Sequence, residues 1–146
     1  MNNKILIVSA NYYKEISKNL ELGASKTLKE NGYEYEIINA PGCFEIPYLI
    51  KKNIHNFKGF ISLGCIIKGD TYHFEVIANE TSRKIMDLSV EFNVPIGFGI
   101  LTCYDLEQAI IRSDVNQKNK GQEAALACIE LLCLLYTSPS PRDGLL

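Results

Sequence analysis

The chain has 146 residues, of which 47% are hydrophobic and 22% are charged, and its formal net charge at pH 7 is -2. This length and composition are typical of one globular domain and too small for two ordinary ones. The charged residues are spread evenly, which excludes a basic nucleic-acid-binding stripe, and two histidines with five scattered cysteines lack the spacing of a zinc site.

The first half of the chain is predicted to alternate between strands and helices. KILIV is a short, β-branched run typical of a buried parallel strand, and the segment after it repeats apolar residues at helical spacing until Gly32. Pro47 stands in the first turns of the next predicted helix, where its missing N–H matters least. The predicted elements are a strand over 4–8, a helix over 15–32, a strand over 33–38, a turn over 40–42 and a short helix over 44–54.

The second half continues this alternation. GFISLGCII is the most apolar of the predicted strands, and Pro95 marks the end of the long helix that follows it. Asp105 is predicted to cap the next helix at its N-terminus. The predicted elements are a strand over 59–67, a helix over 71–93, a strand over 94–103 and helices over 105–113 and 121–135.

Four strands that alternate with helices predict an α/β fold, with a parallel sheet, right-handed crossovers and helices on both faces. Ligands bind to such sheets at the carboxyl ends of the strands. We therefore expect a site where four loops meet at one edge of the sheet, formed by residues 9–13, 41–45, 68–73 and 102–105.

The last predicted helix carries the sequence AALACIELLCLL, which is apolar on nearly every side. A helix that is apolar all round is normally buried, and one flanking layer of a small sheet cannot bury it alone. This pattern predicts that a subunit interface covers the helix.

The two ends of the chain differ from the rest. MNNKILIVSA has neither a long apolar segment nor a cleavage site, and the cysteines form no CxxC pair, so we expect a reduced, cytoplasmic protein. No apolar stretch reaches the roughly 20 residues that a membrane span needs. The domain is predicted to cover 1–135, and the Ser-, Pro- and Gly-rich tail 136–146 is interpreted as non-native or disordered sequence, with a native flexible tail as the alternative.

Five sequence segments occur in an order and at a spacing that identify a family. They are PGCFEIP, LGCIIKGDTYHFEVI, FGILT, EQAI and NKGQEAA. With these segments the chain resembles the lumazine synthase family of riboflavin biosynthesis, from about Ile5 to Leu134. The resemblance implies a flavodoxin-like three-layer α/β/α sandwich with a four-stranded parallel sheet. It also implies a homopentamer with active sites between neighbouring subunits, and it leaves open whether pentamers assemble further into an icosahedral shell.

The activity that the resemblance implies is that of a transferase. It condenses 5-amino-6-(D-ribitylamino)uracil with L-3,4-dihydroxy-2-butanone 4-phosphate to 6,7-dimethyl-8-ribityllumazine, phosphate and water, and it needs no cofactor and no metal. The partners are then these small molecules and further copies of the chain, with no nucleic acid and no membrane.

His73 matches the catalytic histidine of the family. Imine formation, phosphate elimination and ring closure all move protons near neutral pH, where histidine is the side chain best suited to proton transfer. The alternative is a histidine that bonds locally at the start of a helix. The other histidine, His55, lies in a predicted surface loop and is not expected to take part.

A phosphate site is implied at the turn before His73. Gly69, Asp70 and Thr71 precede a helix N-terminus, which favours anions, and Arg112 matches a phosphate-binding arginine that the adjacent subunit contributes. Asp70 departs from the Ala common in the family, and its carboxylate repels a phosphate unless it points away or pairs with a cation such as Lys68.

The remaining site positions are implied to bind the pyrimidine and its ribityl chain. Tyr12 stands where the family has a stacking aromatic residue, Glu45 matches a carboxylate that accepts hydroxyl hydrogen bonds, and Phe98 closes the pocket from the neighbouring chain. A core role for Ile66, Ile67 and Phe98 and a surface role for Arg112 and Lys120 remain alternatives. The full set is Tyr12, Cys43, Phe44, Glu45, Ile66, Ile67, Phe98 and Lys120.

Three other functions remain open from the sequence. A riboflavin synthase of related fold would use the lumazine as its substrate, and a non-catalytic flavin-binding or shell-forming homologue would keep the pocket without turnover. A flavodoxin-like flavin carrier is less consistent with the residues, because SANYY lacks a Gly/Ser/Thr-rich phosphate loop.

Overall fold

Apolar runs and helical repeats alternate along the chain, and the computed structural model, which describes residues 3–136, arranges them as a sheet between two layers of helices. The strands are β1 (Ile5–Ala10), β2 (Tyr35–Ala40), β3 (Gly59–Ile67) and β4 (Ile96–Cys103). The helices are α1 (Lys14–Glu30), α2 (Ile46–Lys52), α3 (His73–Phe92), α4 (Leu106–Ser113) and α5 (Lys120–Tyr136), and a 3-10 turn, Cys43–Glu45, precedes α2.

The four strands form a single parallel sheet in the order β2-β1-β3-β4. β1 lies at its centre, with Ile7 opposite Ile37 on one side and opposite Ile61 on the other. This order follows the first four strands of a flavodoxin-like sheet, in which ligands bind beyond the carboxyl ends of the strands. The predicted fold class is confirmed.

Each face of the sheet has its own core, because successive residues of a strand point to opposite faces. Ile5 and Ile7 pack with residues of α1 and α5, while Leu6 and Val8 pack with residues of α2 and α3. Helices on both sides leave every residue of β1 buried. This explains why the strand appears in the sequence as an unbroken apolar run rather than an alternating one.

Glycines on β4 allow α5 to approach the sheet closely. A Cβ at Gly97 would overlap the carbonyl of Ala124, and a Cβ at Gly99 would lie 2.9 Å from the Ala124 Cβ. Phe98, between them, points to the opposite face at the sheet edge and is 45% exposed. The close packing of α5 therefore leaves an aromatic ring at the edge of the sheet.

Several predicted boundaries were wrong by a few residues. β2 starts at Tyr35 rather than at residue 33, because Gly32 adopts a positive φ of 79° and the Tyr33 N–H closes the end of α1 on the Leu28 carbonyl (2.9 Å). At the other end of the strand, Ala40 belongs to β2 and not to the turn.

At two helices the differences concern the ends. α3 starts at His73 rather than at residue 71, because the Thr71 Oγ1 accepts the His73 N–H (3.4 Å) before the helix begins. α5 runs through Tyr136, one residue into the predicted tail. The rest of that tail, 137–146, lies outside the described residues.

α5 keeps several leucines in contact with solvent, and Leu134 is 73% exposed. Among residues 3–136, no helix combines the length with the apolar composition that a bilayer crossing requires. A single chain thus leaves an apolar surface on α5 uncovered. Its exposed leucines are Leu126, Leu131, Leu134 and Leu135.

Candidate active site

A cleft of about 560 Å³, here called the main cleft, opens at the carboxyl ends of β1, β2 and β3. This is the predicted edge of the sheet, although the loop after β4 does not line it. The cleft brings together the predicted residues Tyr12, Cys43, Phe44, Glu45, Ile66, Ile67 and His73. It also includes Tyr13 and Gly42, which belong to the predicted loops 9–13 and 41–45, and Cys65 and Ile77, which the sequence did not single out.

The loop after β1 presents an aromatic face to the cleft. The Ser17 hydroxyl in the first turn of α1 donates to the Ala10 carbonyl (2.5 Å), which fixes the end of the strand against the helix. Tyr12 and Tyr13 meet edge to face, with ring centroids 5.0 Å apart. Tyr12 is 74% exposed, so a planar ligand can stack on its ring.

The loop after β2 supplies a carboxylate. Glu45 is the last residue of the 3-10 turn Cys43–Glu45, and its side chain folds back toward Gly42 at the start of that turn. A Cβ added at Gly42 would lie 3.1 Å from the Glu45 Oε1. Within residues 3–136, no basic side chain comes within ion-pair distance of Glu45. Its oxygens can therefore accept hydrogen bonds from hydroxyl groups of a ligand.

His73 is the first residue of α3, and its exposed side chain lines the main cleft. The first backbone bond of this helix runs from the Val76 N–H to the Tyr72 carbonyl (3.2 Å). The N–H groups before Val76 have no helical carbonyl to bond, which makes this end of α3 attractive to an anion. A histidine and a helix N-terminus thus meet beside the cleft.

The turn formed by Gly69, Asp70 and Thr71 is exposed to solvent and links β3 to this helix. Lys68 does not neutralise Asp70, because its Nζ lies 2.7 Å from the Glu75 Oε2 instead. The expected ion pair between Lys68 and Asp70, which would have reduced the repulsion between Asp70 and a phosphate, is therefore not formed.

A second cleft of about 280 Å³, the edge groove, holds three further predicted residues, Phe98, Arg112 and Lys120. It shares no lining residue with the main cleft. The structure therefore divides the predicted site residues on one chain between the main cleft and the edge groove, while the predicted phosphate turn, Gly69–Thr71, lines neither cleft. Thr102, from the predicted loop 102–105, also lines the groove, as does Glu123, which was not predicted.

Arg112 retains free hydrogen-bonding capacity in the edge groove. It lies in the last turn of α4, which Asp105 caps as predicted by accepting the Gln108 N–H (2.9 Å). The Arg112 Nη1 donates to the Gln108 carbonyl (3.3 Å), and in the described part of the chain no carboxylate forms an ion pair with it. Lys120, by contrast, pairs with Glu123 at 3.1 Å.

The sequence was compared with those of known proteins. The family model described as 6,7-dimethyl-8-ribityllumazine synthase matches residues 2–136. The chain belongs to this family.

Relatives that are also named 6,7-dimethyl-8-ribityllumazine synthase align with nearly the whole chain. One from Novosphingobium aromaticivorans is 44% identical over 133 residues, which are 90% of this chain and 95% of the relative. One from Bartonella bacilliformis is 42% identical over 92% of this chain and 91% of the relative. One from Zymomonas mobilis is 41% identical over 90% and 95%, respectively. The predicted family is confirmed.

Cys43 lies in the wall of the main cleft. Its sulfur packs over Gly64, where a Cβ would lie 2.6 Å from the Sγ, and burial raises the pKa of the Cys43 thiol to about 12. Burial raises the pKa of Cys65 to about 12 as well. Both thiols are therefore protonated at neutral pH and act as small apolar wall groups.

Replacing Cys43 with Ala should leave kcat within about twofold of the unmodified protein, because a thiol that stays protonated is no nucleophile. The smaller side chain should lower the free energy of unfolding by about 1 kcal/mol. Steady-state kinetics and denaturant titration measure the two effects. A loss of turnover in a folded Cys43→Ala variant would assign the thiol a chemical role.

Proposed function

We propose that this chain condenses 5-amino-6-(D-ribitylamino)uracil with L-3,4-dihydroxy-2-butanone 4-phosphate, forming 6,7-dimethyl-8-ribityllumazine, phosphate and water. One observation carries the proposal. In a member of the lumazine synthase family, the main cleft combines an open aromatic face, a carboxylate outside any ion pair of residues 3–136, and a histidine at a helix N-terminus.

The pyrimidine is assigned to the main cleft. Tyr12 offers its ring face for stacking on the heterocycle, and Phe44, which is also exposed, adds apolar wall. Glu45 accepts hydrogen bonds from the ribityl hydroxyls. Ile66 and Ile67, at the end of β3, add apolar surface to the cleft. The apolar walls thus match the flat heterocycle, and the carboxylate matches the polar ribityl chain.

His73 is assigned the proton transfers. The primary amine of the pyrimidine attacks the ketone carbon, and water leaves as the imine forms. A neighbouring C–H bond then gives up its proton as phosphate leaves, and the resulting enol becomes a ketone. The ribityl-bearing amine attacks that ketone, and a second water leaves as the ring closes. Each of these steps needs a group that can both accept and donate a proton near neutral pH. His73 lies at the wall of the cleft, within the region that the two substrates would share.

The phosphate group is assigned to the turn before α3. Backbone N–H groups at Gly69, Asp70 and Thr71 lie next to the positive end of the helix dipole, and the Thr71 hydroxyl adds a polar contact. This arrangement sets the leaving phosphate beside His73. Release of phosphate then completes the elimination without a metal ion.

The edge groove is assigned to the active site of a neighbouring subunit. Arg112 and Lys120 are cationic groups of a kind that does not line the main cleft, and together with Phe98 they face a different opening of the chain. A repeated interface would bring the edge groove of one copy against the main cleft of the next. Arg112 would then bind the phosphate and Phe98 would close the pocket.

A homopentamer is the assembly we propose. The support is the apolar surface of α5 and the exposed Phe98, which a single chain leaves uncovered. Five free cysteines suit the reducing conditions of the cytoplasm, where we place the reaction. Sedimentation equilibrium should give a mass that is a multiple of five chains, and a monomer at micromolar concentration would contradict the proposal.

The reaction itself is tested by mixing the two purified substrates with the protein at neutral pH, without added metal, and following absorbance and phosphate release. Lumazine formation above the spontaneous background, with one phosphate per product, supports the proposal. Binding of the pyrimidine without turnover would favour the non-catalytic alternative instead.

A further inference from the structure

Lys68 and Glu75 form an ion pair across the turn that carries the proposed phosphate site. Lys68 is the last residue before Gly69, and its Nζ lies 2.7 Å from the Oε2 of Glu75 in the first turn of α3. The hydrogen bond from Lys68 holds the pKa of Glu75 below its ordinary value. Glu75 is therefore negatively charged throughout the neutral range.

A charged Glu75 opposes anion binding at this end of α3. A carboxylate in the first turn interacts with the same positive helix end that a phosphate would use. The Glu75 side chain remains partly exposed, so the role of Lys68 is to place a positive charge directly on its Oε2 beside the turn rather than to neutralise a buried group. The nearby Asp70 adds a second negative charge.

Lys68 is held in place by two further contacts. Its backbone N–H donates to the Cys103 carbonyl at the end of β4 (2.9 Å), and its Nζ lies 5.6 Å from the centroid of the Phe74 ring. A lysine with its backbone tied to the sheet can present its charge at a defined position between the turn and the helix.

We propose that Lys68 is a positioning residue for the phosphate substrate, which cancels the charge of Glu75 and so allows the anion to occupy the turn at Gly69–Thr71. This inference rests on the proposed function, since it concerns the same phosphate site. It assigns opposite effects to the two partners of one ion pair. Lys68 favours the phosphate substrate, and an unneutralised Glu75 opposes it.

The test compares Lys68→Met, Glu75→Gln and the double variant in steady-state kinetics with each substrate. Lys68→Met should raise the KM for the butanone phosphate by about threefold to fivefold and leave the KM for the pyrimidine unchanged. Glu75→Gln should lower the phosphate KM by about twofold, and the double variant should return it to within about twofold of the unmodified protein. Lys68→Arg keeps the charge and should rescue the binding.

Lys84→Met is the matched control, because it removes one lysine from another exposed ion pair on α3, with Asp87 (3.8 Å). Its phosphate KM should stay at the unmodified value. Equal increases in Lys68→Met and Glu75→Gln would mean that the pair only stiffens the turn, and would overturn the inference.

The inference is also tested without turnover. Binding of inorganic phosphate, followed by isothermal titration calorimetry, should be weakened in Lys68→Met and restored in the double variant. An unmodified protein that binds phosphate but forms no lumazine would refute the proposed reaction and leave this assignment supported. Identical phosphate affinity in all variants would refute the assignment even if the unmodified enzyme is active.

Discussion

Replacing His73 with Ala should lower kcat by at least about 10²-fold, because the variant loses the group assigned to accept and donate the protons. The KM values should change much less, since the stacking face of Tyr12 and the carboxylate of Glu45 remain. Single-turnover absorbance measurements with both substrates at saturation give the effect on the chemical steps directly. The side chain is exposed in the single chain, so folding should be unaffected.

His55→Ala is the matched control for this experiment. His55 is exposed and packs edge to face on Phe92, with centroids 6.4 Å apart, and it lines neither the main cleft nor the edge groove. Its removal should leave kcat unchanged. If His73→Ala keeps full turnover while the native mass and circular dichroism are also unchanged, His73 has no part in catalysis.

Replacing Arg112 with Ala should raise the KM for the butanone phosphate by about 10- to 100-fold, which corresponds to the loss of charged hydrogen bonds worth about 1.5 to 3 kcal/mol. The KM for the pyrimidine should change little. Arg112→Lys should recover only part of the binding, because an ammonium group cannot make the paired contacts of a guanidinium. Initial rates at varied concentrations of each substrate measure the two constants.

Arg83→Ala is the control for a general loss of positive charge. Arg83 lies on α3, where it pairs with Glu80 (2.6 Å) and Asp87 (3.2 Å), and it lines neither of the two clefts. Both KM values should stay at the unmodified level in this variant. Equal effects of Arg112→Ala on the two substrates would contradict the phosphate assignment.

The two variants together test whether the active site is shared between subunits. Preparations of His73→Ala and Arg112→Ala, denatured, mixed in equal amounts and refolded, should recover about a quarter of the unmodified activity, because random assembly pairs intact halves at that frequency. Each variant refolded alone should stay inactive at low phosphate-substrate concentration. No recovery in the mixture would place both groups in the site of one chain.

Much of the fold could be predicted because its signals are local. β1 and β3 are mostly apolar along their length, and the repeat of apolar residues along α1 gives its buried face without knowledge of the sheet. The boundaries were harder, since the end of α1 depends on the positive φ of Gly32 and on one bond from Tyr33 to Leu28. Whether that hydrogen bond forms depends on the backbone conformation at Gly32, which the amino-acid composition of the segment does not specify.

The residues of the main cleft were predicted where their chemistry or their family position marked them. His73 and Glu45 carry functional groups that stand out in their segments. Cys65 and Ile77 were missed because by type they are ordinary core residues, and only their position at the cleft gives them a role. Asp70 was expected to need a pairing with Lys68, and Lys68 turned instead to Glu75 on the helix.

By itself, the sequence determined the alternation of strands and helices, and with its five family segments it also determined the fold and the family. The resemblance already implied that Phe98 and Arg112 come from a neighbouring subunit, but only the tertiary structure gathered them with Lys120 in one groove apart from the main cleft. The reason is physical, because the side to which a residue points depends on packing between distant segments. The glycines beside Phe98 admit α5 on one face of β4 and leave the ring exposed on the other, and no local pattern within the strand specifies that contact.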